Sequence, residues 1–176
     1  MLWCDWGRAL EIGAETNAPA FYNITFEDCD VIHGSTIMLD IQHHNRAEIW
    51  GVTFENIRVE YSQYQQSEAY QHTEEQEYRS TSPAQQPTLL NVALYDMGLF
   101  SEDGLHGCVH DVHFKDIYVL TDAPLPMPVS AFAGLDEMHC VRDVRVEGLY
   151  FNGERVTDLQ KANFVIGQYA YGVSLD

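Results

Sequence analysis

The chain has 176 residues, of which 27 are acidic and 9 basic, and its formal net charge is −18. This balance excludes nucleic acid as a partner, because a polyanion is repelled by such a surface and no basic stripe offsets it. A membrane is excluded as well, since no apolar run approaches the roughly 18 residues that a span requires. The hydrophobic fraction of 45% predicts that residues 1–176 fold as a single domain.

Short strands with alternating apolar and polar residues are predicted along most of the chain. A first set of shorter, more apolar strands comprises ALEIGAE (9–15), MLDIQHH (38–44), LLNVALY (89–95), PVSAFAG (128–134) and NFVIGQY (163–169). A second set begins with Asn, Gly or Asp and breaks once at a turn residue: NITFEDCDVI (23–32), GVTFENIRVE (51–60), DVHFKDIYVL (111–120) and DVRVEGLYFN (143–152). Each repeat therefore contains two or three short strands joined by tight bends.

The longer repeats place equivalent side chains in the same phase. Phe26, Phe54 and Phe114 occupy one predicted inward column although their repeats start 28 and 60 residues apart. The turn column consists of residue types that tolerate left-handed backbone: Asp28, Asn56, Asp116 and Gly148. A β-sandwich would not require this phasing, whereas stacked coils do. The sequence predicts an all-β fold, a right-handed parallel β-helix (solenoid) of about four to five coils.

One polar segment interrupts the repeats. Residues 61–88 are rich in Gln, Glu, Ser and Tyr and contain almost no aliphatic residues, so this segment cannot bury enough surface to fold alone. We predict a long loop inserted in one coil. One alternative is a solvent-exposed loop without a role. The other is a functional loop, either a flap over a groove or an arm to a neighbouring subunit, since long loops in compact folds are often functional.

A predicted outward column on the shorter strands carries carboxylates and other polar groups: Glu11, Asp40, Asn91 and Ser130. Stacked strands lie about 4.8 Å apart, so Glu11 and Asp40 are expected about 5 Å from each other. Carboxylates this close raise one pKa and supply an acid beside a base, as in retaining glycosidases. The alternatives are an acidic ladder relieved by Arg8 or Arg46, and a Ca²⁺ site. The histidines are not predicted to converge, so no metal-ligand set is assigned.

The string WGRALEIGAET followed by NITFEDCDVI resembles the later coils of polygalacturonase-type enzymes, glycoside hydrolase family 28 and its bacterial relatives. These are pectin-lyase-like right-handed parallel β-helices. Residues 7–13 match the family's Gly-His-Gly coil, with Arg8 in place of its His. Asp40 and Gln42 stand where the family has Arg and Lys to hold a uronate, so polygalacturonate is disfavoured. The family's catalytic aspartates lie upstream of the matched coils and have no counterpart in this chain.

The resemblance implies that the acidic column lies in a sugar groove and that the partner is a polysaccharide or oligosaccharide, with no cofactor. Two functions stay open. One is an enzyme, a glycoside hydrolase, in which Glu11 and Asp40 act as acid and base. The other is a glycan-binding or structural, self-associating β-helix without catalysis. The substrate-binding residues expected in the groove are Arg8, Glu15, Gln42, His44, Asn91 and Tyr95.

An unpaired first coil would recruit other strands, because bare strand edges are templates for pairing. We predict a homo-oligomer through the N-terminal coil, most simply a two-fold dimer, unless Trp3 and Trp6 cover the edge. The chain as written has no secretion signal, and its four cysteines form no CxxC pair. These features predict a cytoplasmic protein, or a secreted or periplasmic one if the chain is a fragment of a longer protein.

Overall fold

The computed structural model describes residues 1–3, 7–61, 69–70, 79–80, 87–96, 104–122 and 124–176. The elements within these ranges are all β-strands: β1 (Leu2–Trp3), β2 (Leu10–Ala14), β3 (Ala20–Glu27), β4 (Asp30–Ile32), β5 (Ile37–His43), β6 (Glu48–Tyr61), β7 (Ala69–Tyr70), β8 (Arg79–Ser80), β9 (Thr88–Leu94), β10 (Val109–Thr121), β11 (Val129–Ala133), β12 (Val141–Phe151), β13 (Glu154–Val156), β14 (Phe164–Ile166) and β15 (Ala170–Leu175). The predicted all-β class is confirmed. No helix in the described ranges is long and apolar enough to cross a bilayer.

Apart from β7 and β8, which pair only with each other, the strands belong to two sheets, and each repeat contributes to both. The first sheet has the order β1-β4-β6-β10-β12-β13, with β3 also on β6 and β15 also on β12. The second sheet, which contains the shorter strands of the sequence repeats, has the order β14-β11-β9-β5-β2. Apart from the antiparallel β12–β13 pair, the described pairings in both sheets are parallel. In both sheets, equivalent strands of successive repeats therefore lie side by side and parallel.

The phenylalanine column is confirmed. Phe26 pairs with Phe54, and Phe54 pairs with Phe114, in the registers of β3–β6 and β6–β10. The ring centroids are 4.8 Å apart in the first pair and 4.9 Å in the second, and the rings are nearly parallel. Phe54 and Phe114 are fully buried. This stack lies within a single apolar core between the two sheets, in which side chains of successive repeats lie over one another.

Left-handed residues produce the bends within the long strands. The predicted turn column has positive φ throughout: Asp28 (54°), Asn56 (53°), Asp116 (53°) and Gly148 (71°). A second column of positive φ begins each repeat: Asn23, Gly51, Asp111, Asp143 and Gly172. At each bend the alternation of buried and exposed residues shifts phase, as β6 shows around Gly51 and Asn56. Asn, Asp and Gly recur there because other residues adopt this backbone only with strain.

The boundaries of the polar segment differ slightly from the prediction. Tyr61 belongs to β6, where it pairs with Thr121 and is 1% exposed, and Thr88 belongs to β9. The Tyr61 hydroxyl donates a hydrogen bond to the Thr88 carbonyl at 3.4 Å, so the two ends of the segment meet. Strands β7 and β8 pair antiparallel. The rest of the predicted loop, residues 62–68, 71–78 and 81–86, lies outside the described residues, as does Trp6.

Candidate functional site

Asp40 is the centre of the candidate site. It lies in β5 between Leu39 and Ile41, which face the core, so its side chain points to the outer face of the second sheet. It is nevertheless completely buried. Asn91 Nδ2 donates a hydrogen bond to Asp40 Oδ1 at 2.7 Å, and Arg8 Nε lies 2.8 Å from Asp40 Oδ2. One carboxylate oxygen therefore accepts a hydrogen bond, and the other lies in an ion pair with Arg8.

The predicted column is correct for three of its four members. Glu11 pairs with Asp40, and Asp40 pairs with Asn91, in the parallel registers of β2–β5 and β5–β9. The expectation for Ser130 was wrong, because Ala131 and not Ser130 pairs with Asn91. The register between β9 and β11 shifts at an irregularity between Val129 and Ala131. An extra residue on one strand of a pair moves every later side chain by one position, which the repeat pattern alone did not reveal.

Arg8 joins the two carboxylates that were predicted to act as a pair. Its Nε lies 3.5 Å from Glu11 Oε1 and 2.8 Å from Asp40 Oδ2. The side chains of Arg8 and Glu11 are 38% and 26% exposed, whereas Asp40 is 0% exposed. Solvent therefore reaches Arg8 and Glu11, whereas Asp40 contacts the guanidinium of Arg8 from the buried side.

Burial is the largest cause of the pKa shifts of both carboxyl groups. It raises the pKa of Asp40 to about 6, although the hydrogen bond from Asn91 and the charge of Arg8 lower it. Burial also raises the pKa of Glu11, against the opposing charge of Arg8. With a pKa of about 6, Asp40 is partly protonated just below neutral pH and can then donate as well as accept a hydrogen bond.

An aromatic and amide flank lies beside the carboxylates. The rings of His44 and Tyr95 stack with centroids 5.2 Å apart, and Gln42 Nε2 lies 2.9 Å from His44 Nε2. Burial lowers the pKa of His44, with Arg8 adding to the effect, so the neutral ring is favoured. Burial likewise raises the pKa of Tyr95. The neutral forms of both side chains are therefore favoured; Tyr95 is half-buried, whereas His44 is buried.

Glu15 lies at the rim of the site. It is exposed, and its charge raises the pKa values of both Glu11 and His44. The structure therefore brings the six predicted substrate-binding residues and Glu11 together around the buried Asp40, whereas Ser130 is not among them. Which of them touch a ligand stays a prediction.

A polar layer beneath the site was not assigned from the sequence. His43 is 1% exposed, and its Nδ1 lies 2.6 Å from Thr16 Oγ1. Asn45 Oδ1 accepts a hydrogen bond from Thr16 N at 2.8 Å. Burial lowers the pKa of His43 to about 4, with His106 and His44 adding smaller effects. The signal was available, since alternation along β5 places His43 on the inward side with Leu39 and Ile41.

The Ca²⁺ alternative stays a prediction. An ion bound to Glu11 and Asp40 would compete with Arg8, whose guanidinium already lies against both carboxylates. Within the described part of the chain, no three His, Cys, Asp or Glu side chains converge in a way that could hold a metal ion.

Comparison of the chain with protein-family models, with curated proteins and with solved structures gives no match. The likeness to polygalacturonase-type enzymes therefore depends on the motifs in the sequence alone.

Proposed function

We propose that the chain is a right-handed parallel β-helix related to polygalacturonase-type glycoside hydrolases and that it binds a neutral glycan. The fold proposal is supported by strands of successive repeats that pair in parallel in two sheets, in register except for the shift between β9 and β11. The second sheet stacks five parallel strands, β2, β5, β9, β11 and β14, and this supports a proposal of about four to five coils. The glycan lies across the outer face of the second sheet, over Arg8 and Glu11.

The bridge from Arg8 to Glu11 and Asp40 carries this proposal. Its exposed atoms present a guanidinium donor next to a carboxylate acceptor, and the buried Asp40 fixes their geometry. Sugar hydroxyls donate and accept at once, so a rigid donor–acceptor pair suits them. Polyuronates fit less well, because they would approach a chain of net charge −18.

Binding is favoured over hydrolysis by the burial of Asp40. A nucleophile or a base must touch its substrate or a water molecule, and Asp40 is 0% exposed. Hydrolysis with Glu11 and Asp40 as acid and base is the second candidate. It is supported by the pKa of Asp40, which burial raises to about 6, and by the upward direction of the shift at Glu11, because a general acid must hold its proton at the working pH.

Calorimetric titration with neutral oligosaccharides and with oligogalacturonate tests the proposal. We expect a neutral oligosaccharide to bind and Glu11→Gln to weaken binding by about tenfold, the size of one lost charge-assisted hydrogen bond. Glu55→Gln is the matched control, since Glu55 lies on the first sheet in an ion pair with Lys115. Equal affinity of wild type and Glu11→Gln, or preferential binding of oligogalacturonate, would overturn it. If the wild type releases reducing ends from an oligosaccharide and Glu11→Gln does not, the chain is a hydrolase.

Self-association is the other function that a specific observation supports. Among the described strands β3 pairs only with β6, and β2 only with β5, so both present an open edge. Tyr22 on β3 is 55% exposed and stacks on Trp50 at 4.8 Å, which leaves one ring face for a partner. We expect a dimer by light scattering at micromolar concentration. Tyr22→Glu should dissociate it and Leu120→Glu, at another exposed apolar position, should not; a monomeric wild type would contradict this.

A further inference from the structure

Two cysteines occupy equivalent positions at the starts of neighbouring strands. Cys108 directly precedes β10 and Cys140 directly precedes β12. The first residues of these strands, Val109 and Val141, pair in parallel register, and Val109 N donates a hydrogen bond to the Cys140 carbonyl at 3.1 Å. Cys108 therefore lies beside Cys140 in the same column of the first sheet.

The spacing of parallel strands suits a covalent link between these residues. Residues side by side on neighbouring strands have Cα atoms about 4.8 Å apart, within the range of roughly 4.4–6.8 Å that a disulfide requires; their Cβ atoms must approach to about 4.5 Å or less, a shift of a few tenths of an ångström from the strand spacing. The side chains also meet. Burial is the main cause that raises the pKa of the Cys108 thiol, and the adjoining Cys140 side chain adds to it. Both thiols are free in this structure.

We propose that Cys108 and Cys140 are an oxidisable pair that forms a disulfide between two successive repeats. The reaction is thiol–disulfide exchange with a small-molecule disulfide. The thiolate of Cys108, the more accessible of the two, attacks one sulfur of the oxidant, forms a mixed disulfide and releases one thiolate. The thiolate of Cys140 then attacks the Cys108 sulfur and displaces the second thiolate. The protein loses two S–H hydrogens, and the oxidant is reduced to two thiols.

The cross-link would also fix a segment next to the candidate site. Gly107 N donates a hydrogen bond to the Asn45 carbonyl at 2.9 Å, and a Cβ at Gly107 would lie 1.9 Å from the Ala47 carbonyl oxygen. The chain before Cys108 thus packs tightly on the turn that follows β5. A disulfide at Cys108 holds this turn and the start of β12 together.

Peptide mapping of the full chain tests the proposal. Trypsin cleaves after Lys and Arg, so Cys4, Cys29, Cys108 and Cys140 fall on four separate peptides. After equilibration with oxidised glutathione and blocking of remaining thiols, we expect peptides 80–115 and 116–142 to be joined and to separate on reduction. Unjoined peptides, or a link that involves Cys4 or Cys29 instead, would overturn the proposal.

Thermal unfolding provides a second readout. The disulfide closes a loop of about 32 residues, so oxidation should raise Tm by on the order of 5–10 °C. Cys108→Ser should abolish this shift, whereas Cys29→Ser should retain it. Because the pKa of Cys108 is raised, the rate of oxidation should increase as the pH rises from neutral towards that pKa. An oxidation-dependent Tm shift that persists in Cys108→Ser would contradict the assignment even if the wild type forms a disulfide.

Discussion

Arg8 Nε lies 2.8 Å from Oδ2 of Asp40, and this pair joins the chain before β2 to the next strand of the same sheet, β5. Arg8 is partly exposed and Asp40 is buried, so the aspartate keeps its charge largely through the arginine and Asn91. Removing one partner of such a pair leaves an uncompensated buried charge, which costs more than the pair itself contributes.

Arg8→Gln should destabilise the fold at neutral pH. Because Asp40 loses its counter-charge inside the protein, we expect a loss of about 2 kcal/mol in the free energy of unfolding, below the range for fully buried pairs since Arg8 is partly exposed. Urea unfolding at pH 7 measures it. Arg58→Gln removes the partner of Asp30 in a more exposed pair and should lose much less. Equal losses of unfolding free energy in both variants would show that Arg8 does not stabilise the ionised form of Asp40.

Asp40→Asn should change the pH dependence of stability. Because the pKa of Asp40 is raised from 3.8 to about 6, the folded chain binds more protons here than the unfolded chain between these values. The contribution of Asp40 to stability therefore falls as the pH rises through this window. Relative to wild type, the variant should gain on the order of 2 kcal/mol in unfolding free energy from pH 4 to pH 6.5. Parallel curves for the two proteins would contradict the raised pKa.

His43→Asn should change the pH dependence of the unfolding free energy in the direction opposite to Asp40→Asn. The pKa of His43 is lowered from 6.5 to about 4, so the unfolded chain binds more protons here between these values and the contribution to stability rises with pH. The variant should therefore lose stability relative to wild type as the pH rises through this window. Urea unfolding at several pH values measures the slope, which is informative even if the substitution also weakens packing. A relative gain would show that His43 is not buried as a neutral ring.

Phe54→Ala should be among the most destabilising substitutions in the core. Phe54 is fully buried between Phe26 and Phe114, so its removal leaves a cavity flanked by two rings. We expect a loss of about 3–5 kcal/mol in unfolding free energy. Leu120→Ala, at a position that is 46% exposed, is the control and should change it by less than about 1 kcal/mol. Similar losses at the two positions would mean that the phenylalanine column is not packed.

The bend at Asp116 predicts a difference between two small substitutions. Its φ of 53° is left-handed, so Asp116→Ala should be less stable than Asp116→Gly by about 1 kcal/mol. Thermal or urea unfolding of the two variants measures this. At an ordinary strand position alanine would be the more stable of the two, and that order would rule out the left-handed bend.

The sequence predicted the strands and their phase because both depend on local alternation. Phe26, Phe54 and Phe114 could be aligned from their position within the repeat, and so could the left-handed column that contains Asp28 and Asn56. Glu11, Asp40 and Asn91 followed from the same phase on the shorter strands.

The remaining features depend on contacts between repeats that phase alone does not fix. Ser130 was misplaced because the register shift between β9 and β11 leaves no mark in the alternation. The burial of Asp40 could not be anticipated, since a charged residue at an outward position is usually exposed.

The alignment of Cys108 with Cys140, in contrast, can be read from the sequence. The strings CVHDVHF and CVRDVRV each place the cysteine three residues before the positive-φ aspartate.

A crystal structure of the chain grown with a saturating neutral oligosaccharide tests the central claim most directly. The account predicts a right-handed helix with sugar density over the outer face of the second sheet, within hydrogen-bonding distance of Arg8 and Glu11. Density confined to the first sheet, or a face over Arg8 that stays empty while the sugar is bound elsewhere, would contradict it.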